Sequence, residues 1–263
     1  MPHAKLKSDN KPLLSIVMPV YRQENNIVRY LKILESVLNS SNYEYEIICV
    51  IDGRIDKSFE KARSIKNPKI KVLEYPHNMG KGYAVRYGMK HAKGQTIGFV
   101  DGGHDVKYSS IPLALEHMKW YGADVVIGSK RHPASKVVYP WQRRIFSWGY
   151  QLGVRLLFGI NVKDTQVGMK FFKGEVVKTI LPKLLVDEFA FDIEMLAVAN
   201  RMGFNKIYEF PVEITMEFEG STIASKSFLK TAWKMMWDTI LVFYRLKILH
   251  YYDDANKNKW IKQ

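Results

Sequence analysis

A chain of 263 residues is long enough to bury a sizeable core, as one large α/β domain or two small ones. Its 47% hydrophobic and 25% charged residues exclude a disordered or fibrous chain. The net charge of +14, with a pI near 9.6, points to anionic partners: nucleotide diphosphates, acidic lipid headgroups or nucleic acid. The lone Cys49 excludes an intrachain disulfide and fits a reducing cytoplasm. Met1 to Pro12 is polar and lacks the apolar stretch of a secretory signal. No apolar run approaches the roughly 20 residues that cross a bilayer. The longest, Thr239 to Leu249, is interrupted by Arg245 and Lys247, so the chain is expected to be peripheral at most.

Short apolar runs alternate with amphipathic segments, the pattern of a mostly parallel sheet with helices on both faces. Strands are expected at Leu14 to Val20, Tyr45 to Ile51, Ile70 to Tyr75, Thr96 to Val100 and Asp124 to Ile127. Between them, helices are expected over Glu24 to Leu38, from Gly80-Lys81-Gly82 to a C-cap at Gly94, and over Ile111 to Trp120. A basic, aromatic stretch from Ser129 to Arg144 then leads into an apolar helix ending near Gly159. Further elements follow: a strand at Gly168 to Phe172, a helix at Phe191 to Met202, a strand at Ile207 to Ile214 and a long basic helix from Ser227 to Leu249. No repeat or low-complexity linker interrupts the chain. The expected organisation is a polar segment (1–12), one α/β domain (13–222) and an amphipathic C-terminal helix with its tail (223–263).

Ligands of open α/β sheets bind beyond the carboxyl ends of the strands. The first strand ends in Pro19-Val20-Tyr21-Arg22-Gln23-Glu24, the second in Asp52-Gly53, and the fourth in Asp101-Gly102-Gly103-His104-Asp105. Each acid alone would serve as a turn or cap residue; three at strand ends in one crevice point to a ligand site.

The segment Ser15 to Ile27 resembles the opening of family 2 glycosyltransferases, and Asp52-Gly53 their uracil- or guanine-reading acid. Asn78-Met79-Gly80-Lys81-Gly82-Tyr83-Ala84-Val85 and Phe99-Val100-Asp101 resemble the next two blocks. Asp164 to Phe172 and Phe191 to Leu196 resemble the polyprenyl (dolichyl) phosphate sugar synthases within that family. The resemblance implies a GT-A fold and transfer of a hexose from a UDP- or GDP-sugar to a polyprenyl phosphate, with inversion, at the cytoplasmic face of a membrane. It also implies Mg²⁺ or Mn²⁺ on Asp101, since a divalent cation neutralises a leaving diphosphate without needing a proton. Asp105 and His104 are the further ligand candidates, because the second acid of the family's DxD is replaced by Gly103.

Donor contacts are expected from Pro19, Tyr21, Glu24, Asp52, Lys81 and Asp101. Arg131, with Arg143 or Arg144 and Ser147 one turn on, matches the places where the synthases hold the acceptor phosphate, a task suited to guanidinium groups. With a hydroxyl acceptor, Asp192 would act as general base; with a phosphate acceptor it would orient a sugar hydroxyl or a loop. Glu194 reads as structural. The C-terminal stripe of Trp233, Trp237, Ile240 and Tyr244, edged by Lys234, Arg245 and Lys247, reads either as buried core or as a helix in the headgroup layer. No nucleic-acid module is visible. The rival readings are a saccharide or protein hydroxyl acceptor, and a catalytically weak member that binds membranes or polyanions.

Overall fold

The structure, a computed structural model, describes residues 13–137, 141–215 and 228–260, with the side chains of 141–148, 152 and 228–232 left out. The chain runs β1 (Leu13–Val20), α1 (Ile27–Asn39), β2 (Glu44–Asp52), α2 (Ser58–Arg63), β3 (Ile70–Tyr75), α3 (Lys81–Lys90), β4 (Thr96–Val100), α4 (Ile111–Tyr121) and β5 (Val125–Ser129). It continues through β6 (Lys136–Val137), α5 (Trp141–Phe158), β7 (Met169–Lys173), α6 (Gly174–Ile180), α7 (Phe191–Arg201), β8 (Ile207–Pro211), β9 (Glu213–Ile214) and α8 (Phe228–Phe243). Seven strands form one sheet in the order β3-β2-β1-β4-β7-β5-β8, and β6 pairs with β9 in a small second sheet. Only β7 runs antiparallel in the large sheet, between β4 and β5.

Alternation along the strands sorts side chains into two cores. Leu14, Ile16 and Met18 of β1 and Ile47, Cys49 and Ile51 of β2 face α1 and α4, where Leu31, Leu34 and Leu115 meet them. Val17, Ile48, Val50 and Phe99 face the other way, onto Ala84, Val85, Phe191 and Leu196 of α3 and α7. The C-terminal segment joins this second core through Val242, Leu246 and Tyr252. Its end is pinned by Lys183, whose buried Nζ donates to the Tyr252 carbonyl at 2.9 Å and lies 3.9 Å from the Trp260 ring centroid.

Several boundaries differ from those expected, each for a local reason. The first helix starts at Ile27 because Glu24 is occupied in the turn, its N–H donating to Asp56 and its carboxylate accepting from the Lys57 N–H. The third ends at Lys90, and Gly94 serves instead as a close-packing point: its N–H donates to Ser15 Oγ at 2.8 Å, and a Cβ there would lie 2.5 Å from the Thr96 carbonyl oxygen. The strand expected over Ile207 to Ile214 divides at Val212, so that β8 joins the large sheet and β9 the small one. The C-terminal helix is α-helical to Phe243 and passes into a π-type turn, Tyr244–Ile248.

Strand order reverses at β1, which has β2 on one side and β4 on the other, both parallel to it. A crevice therefore opens beyond the carboxyl ends of β1, β2 and β4. Asp52, the last residue of β2, and Asp101, just after β4, stand on the same edge with only β1 between them.

Candidate active site

At the β1 side, Pro19 is half-buried and Tyr21 is exposed, with the Arg22 guanidinium 5.2 Å from its ring centroid. Arg22 takes a positive φ of 53°, an uncommon conformation for a residue with a side chain. The loops after β1 and β2 interlock: the Gln23 N–H donates to Ser58 Oγ, and Asp56 accepts from the Ser58 and Glu24 N–H groups. Glu24 thus holds this loop pair together.

Asp52 is 4% exposed and accepts four hydrogen bonds. Tyr75 Oη and Asn78 Nδ2 donate at 2.9 Å, the Met79 N–H at 2.7 Å and the Gly80 N–H at 3.2 Å. A carboxylate offers about four lone-pair sites, so Asp52 is saturated and fixes the entry to α3. A nucleotide base would reach it only by displacing one of these donors.

At the β4 end, Asp101 Oδ1 lies 2.6 Å from Lys81 Nζ, with the two side chains 29% and 23% exposed. Burial opposes the charge on Lys81, but Asp101, Asp192 and Asp105 together hold its pKa above the ordinary lysine value. The ammonium also lies 5.9 Å and 5.8 Å from the Phe99 and Phe191 ring centroids. Gly168 makes room for the carboxylate, since a Cβ there would sit 1.8 Å from Asp101 Oδ2. The Asp101 N–H donates to the Gly168 carbonyl at 2.8 Å, which clips β4 to the loop before β7.

Beneath this pair lies a second. Lys170 of β7 is fully buried, its Nζ 2.5 Å from Asp192 Oδ1 and 2.6 Å from the Val167 carbonyl oxygen. Burial pushes the Asp192 carboxyl up and the Lys170 ammonium down, each offset in part by its partner. Asp101, Lys81, Asp192 and Lys170 thus form a line of alternating charges leading from the crevice into the core. Glu194, two residues on in α7, accepts from the Leu185 and Val186 N–H groups and from Tyr252 Oη, and is structural.

The three expected metal ligands do not converge. Among the described residues no three His, Cys, Asp or Glu side chains gather closely enough to hold an ion. The His104 ring is packed between Tyr30 and Tyr108, at centroid distances of 5.3 Å and 4.4 Å, on a backbone with φ of 57°. Asp105 is exposed, and a Cβ on Gly103 would meet only its carboxylate, at 3.6 Å. Asp101 still fits a hard cation: a positive group already rests on its Oδ1, and Gly168 leaves its carboxylate room. Mg²⁺ is commonly held by one or two carboxylates, with phosphates and water completing its shell, so this sparse set is compatible with a metal that arrives with a diphosphate.

On the acceptor side, Arg131 is half-buried in the loop after β5, with its N–H donating to Ser129 Oγ. Lys130 is bound to the buried Asp164, its N–H at 3.1 Å and its Nζ at 3.4 Å. Asp164 therefore ties the β5 loop to the 164–168 segment that ends at Gly168. Thr165 in that segment donates to Gln151 of α5, and Gln166 Nε2 to Met235 of α8. The α5 backbone carries Arg143, Arg144 and Ser147, whose side chains lie outside the described residues. Sequence reasoning missed Lys170, although a lysine inside the apolar run Met169–Phe172 is itself a signal, because buried lysines are rare unless paired. A recess of about 900 Å³ beside α2 is lined by Arg54, Asp56 and Glu74 among others, but by none of Asp52, Lys81, Asp101 or Asp192.

Comparison with known proteins agrees with this geometry. The glycosyl transferase family 2 model matches residues 15–181. Dolichyl-phosphate beta-glucosyltransferase ALG5D of Trichomonas vaginalis is 32% identical over 251 residues, covering 89% of this chain and 75% of that protein. Dolichyl-phosphate beta-glucosyltransferases of Drosophila melanogaster and Saccharomyces cerevisiae are 29% and 28% identical; 72% and 83% of this chain and 63% and 71% of those proteins are covered. Glucosyl-3-phosphoglycerate synthase of Mycobacterium tuberculosis, solved with Mn²⁺, UDP and phosphoglyceric acid, superposes with a TM-score of 0.61 at 15% identity. That match covers 89% of this chain and 78% of the other, and the same enzyme solved with Mg²⁺ and UDP also gives 0.61, at 16% identity and with the same coverage. The sheet order, the crevice at β1 and the family match together make this chain a GT-A fold enzyme, a member of glycosyl transferase family 2.

Proposed function

We propose that the chain transfers a hexose from a UDP- or GDP-sugar to a polyprenyl phosphate of the dolichyl type, with inversion, working peripherally at the cytoplasmic face of a membrane. The observation that carries this reading is the charge line from Asp101 through Lys81 to Asp192 and Lys170 at the carboxyl edge of β4. The names of the relatives support the choice of acceptor.

An oxygen of the acceptor phosphate forms the new bond to the anomeric carbon as the bond to the donor diphosphate breaks, and the nucleoside diphosphate leaves. That oxygen is already an anion, so the step needs no base. Asp192 suits this requirement: a general base must be free to take a proton, whereas its Oδ1 is committed to Lys170 and the residue is 3% exposed. A hydroxyl acceptor would call on Asp192 as a base, and this pairing disfavours it. Mg²⁺ or Mn²⁺ at Asp101, with Asp105 nearby, would neutralise charge on the leaving diphosphate. Lys81 contributes a second positive charge, and Arg131 with Arg143 or Arg144 would hold the acceptor phosphate by paired hydrogen bonds. In such a site, positioning and preorganised charge supply most of the acceleration.

No helix among the described residues is long and apolar enough to cross a membrane. A lipid acceptor would instead be met at a surface. Trp233 (66% exposed), Trp237 (55%), Ile240 and Tyr244 follow one face of α8 and its extension, with Leu156 of α5 also exposed. Lys234, Arg245 and Lys247 accompany them, the combination that favours the headgroup layer of anionic lipids.

The test is a transfer assay with radiolabelled UDP-glucose and GDP-mannose and a short polyprenyl phosphate. Label from one donor should enter the organic phase, and Asp101→Asn should abolish the transfer. Label that stays in water while a saccharide accepts it would overturn the lipid assignment.

A further inference from the structure

Lys81 occupies an unusual position for a cation. It is the first residue of α3, where the positive end of the helix dipole disfavours a lysine. Its charge is held there by acids: Asp101 at 2.6 Å, with Asp192 and Asp105 adding to the attraction. The ammonium thus rests on one of the two carboxylate oxygens open to a divalent ion, while the other faces Gly168. A metal bound to this carboxylate at roughly 2.0–2.2 Å competes with an ammonium in contact with it, because like charges that close repel strongly.

From this juxtaposition we infer that Lys81 is a resident counter-ion of Asp101, exchanged between two partners: it neutralises Asp101 in the empty enzyme and turns to the nucleotide diphosphate when metal takes the carboxylate. The side chain suits such an exchange. Its ammonium is a compact charge on a flexible four-carbon stem, flanked by the smooth faces of Phe99 and Phe191 rather than locked by several hydrogen bonds. Lys170, the last charge of the line, cannot substitute for it, being fully buried and bound to Asp192 and the Val167 carbonyl. The absence of an acid at Gly103 strengthens the competition, since the metal gains no second carboxylate there to outbid the lysine.

The consequence is thermodynamic. Metal alone must displace Lys81 into water, and nucleotide alone must draw it off Asp101. Together each ligand removes the cost that the other meets, so metal and nucleotide bind cooperatively, with reciprocal effects on each other's affinity. Lys81 is thereby a positioning residue for the pair of ligands, and its removal changes binding even where no sugar is transferred.

The inference rests on Asp101 being the metal seat, and the experiment separates the two ideas. Mn²⁺ binding is followed by electron paramagnetic resonance and calorimetry, with and without UDP or GDP, for the wild-type chain, Lys81→Met and Asp101→Asn. Thermal unfolding confirms that each variant is folded, and Lys81→Gln serves if the methionine variant is not. The wild type should bind Mn²⁺ weakly alone and roughly tenfold or more tightly with nucleotide, within the usual range of coupling factors. Lys81→Met should bind Mn²⁺ alone more tightly than the wild type, lose most of the coupling and bind metal-free nucleotide less well. An Mn²⁺ affinity in Lys81→Met that is equal to or weaker than that of the wild type, or an unchanged coupling factor, would overturn the counter-ion exchange. Mn²⁺ binding retained in Asp101→Asn would instead remove Asp101 as the seat and, with it, the metal reading of the site.

Discussion

Lys170→Met offers the sharpest test of how the site is held together. The wild-type ammonium is fully buried, 2.5 Å from Asp192 Oδ1 and 2.6 Å from the Val167 carbonyl, and Asp192 is itself only 3% exposed. Methionine fills a similar volume but leaves a buried carboxylate facing an apolar side chain. Breaking a buried ion pair from one side costs about 3–5 kcal/mol, and the unpaired carbonyl adds about 1 kcal/mol or more. Lys81 lies close enough to Asp192 to offset part of this, which places the expected loss near the lower end. For a chain of this size 1 kcal/mol corresponds to roughly 2–4 °C, so the midpoint of thermal unfolding should fall by about 6–12 °C. Because burial raises the Asp192 carboxyl, its contribution to stability is fullest below the unfolded carboxyl value and is lost as pH rises through the folded one. Without Lys170 that window widens upward, so the gap between variant and wild type should shrink as pH is lowered from 8 to 5. The double variant Lys170→Met/Asp192→Asn, having no buried charge, should recover much of the loss. A single variant within about 2 °C of wild type, or a double variant no better than the single, would refute a charge pair buried under the site.

Three further outcomes are expected. Gly168→Ala should cripple transfer and metal binding while Gly103→Asp folds normally and binds Mn²⁺ more tightly, because a Cβ meets the Asp101 carboxylate at 1.8 Å in the first case and only Asp105 at 3.6 Å in the second; calorimetry showing both variants unchanged would contradict the geometry. Trp233→Asp with Trp237→Asp should abolish sedimentation with anionic vesicles while leaving donor binding intact, and undiminished sedimentation would remove α8 as the docking face. Cys49, fully buried with its thiol pushed up to about 12, should resist thiol reagents at pH 8 until the protein unfolds, and rapid labelling of the native chain would contradict its place in the sheet.

The sheet was legible because its strands are short apolar runs bounded by turn residues, and the acids at three strand ends marked the edge where a ligand would bind. Periodicity carries no information on partners, which is why Asp52 read as a base-binding acid while its four donors, from Tyr75 to Gly80, remained invisible. His104 read as a possible ligand for the same reason, and the packing of its ring with Tyr30 and Tyr108 was equally invisible. The antiparallel β7 also went unmarked, since direction is set by the long return through α5 rather than by the composition of Met169–Lys173. The charges that matter most arise from this insertion: β7 brings Lys170 under Asp192 and sets Gly168 against Asp101.

One helix connects these separate features. The entry to α3 is fixed by Asp52 through the Gly80 N–H, its first residue carries the ammonium on Asp101, and Gly82 lies so close to α7 that a Cβ would be 2.7 Å from Phe191 Cβ. Phe191 directly precedes Asp192, so the acid at the end of β2, the acid at the end of β4 and the acid at the start of α7 all bear on the first turn of α3. Binding at one of them would therefore be felt at the others through a rigid element rather than through a loop. That arrangement explains how a site with so few direct ligands for a metal would remain preorganised: the backbone of the first turn of α3 is held from three sides, so that only the Lys81 side chain has to change partner.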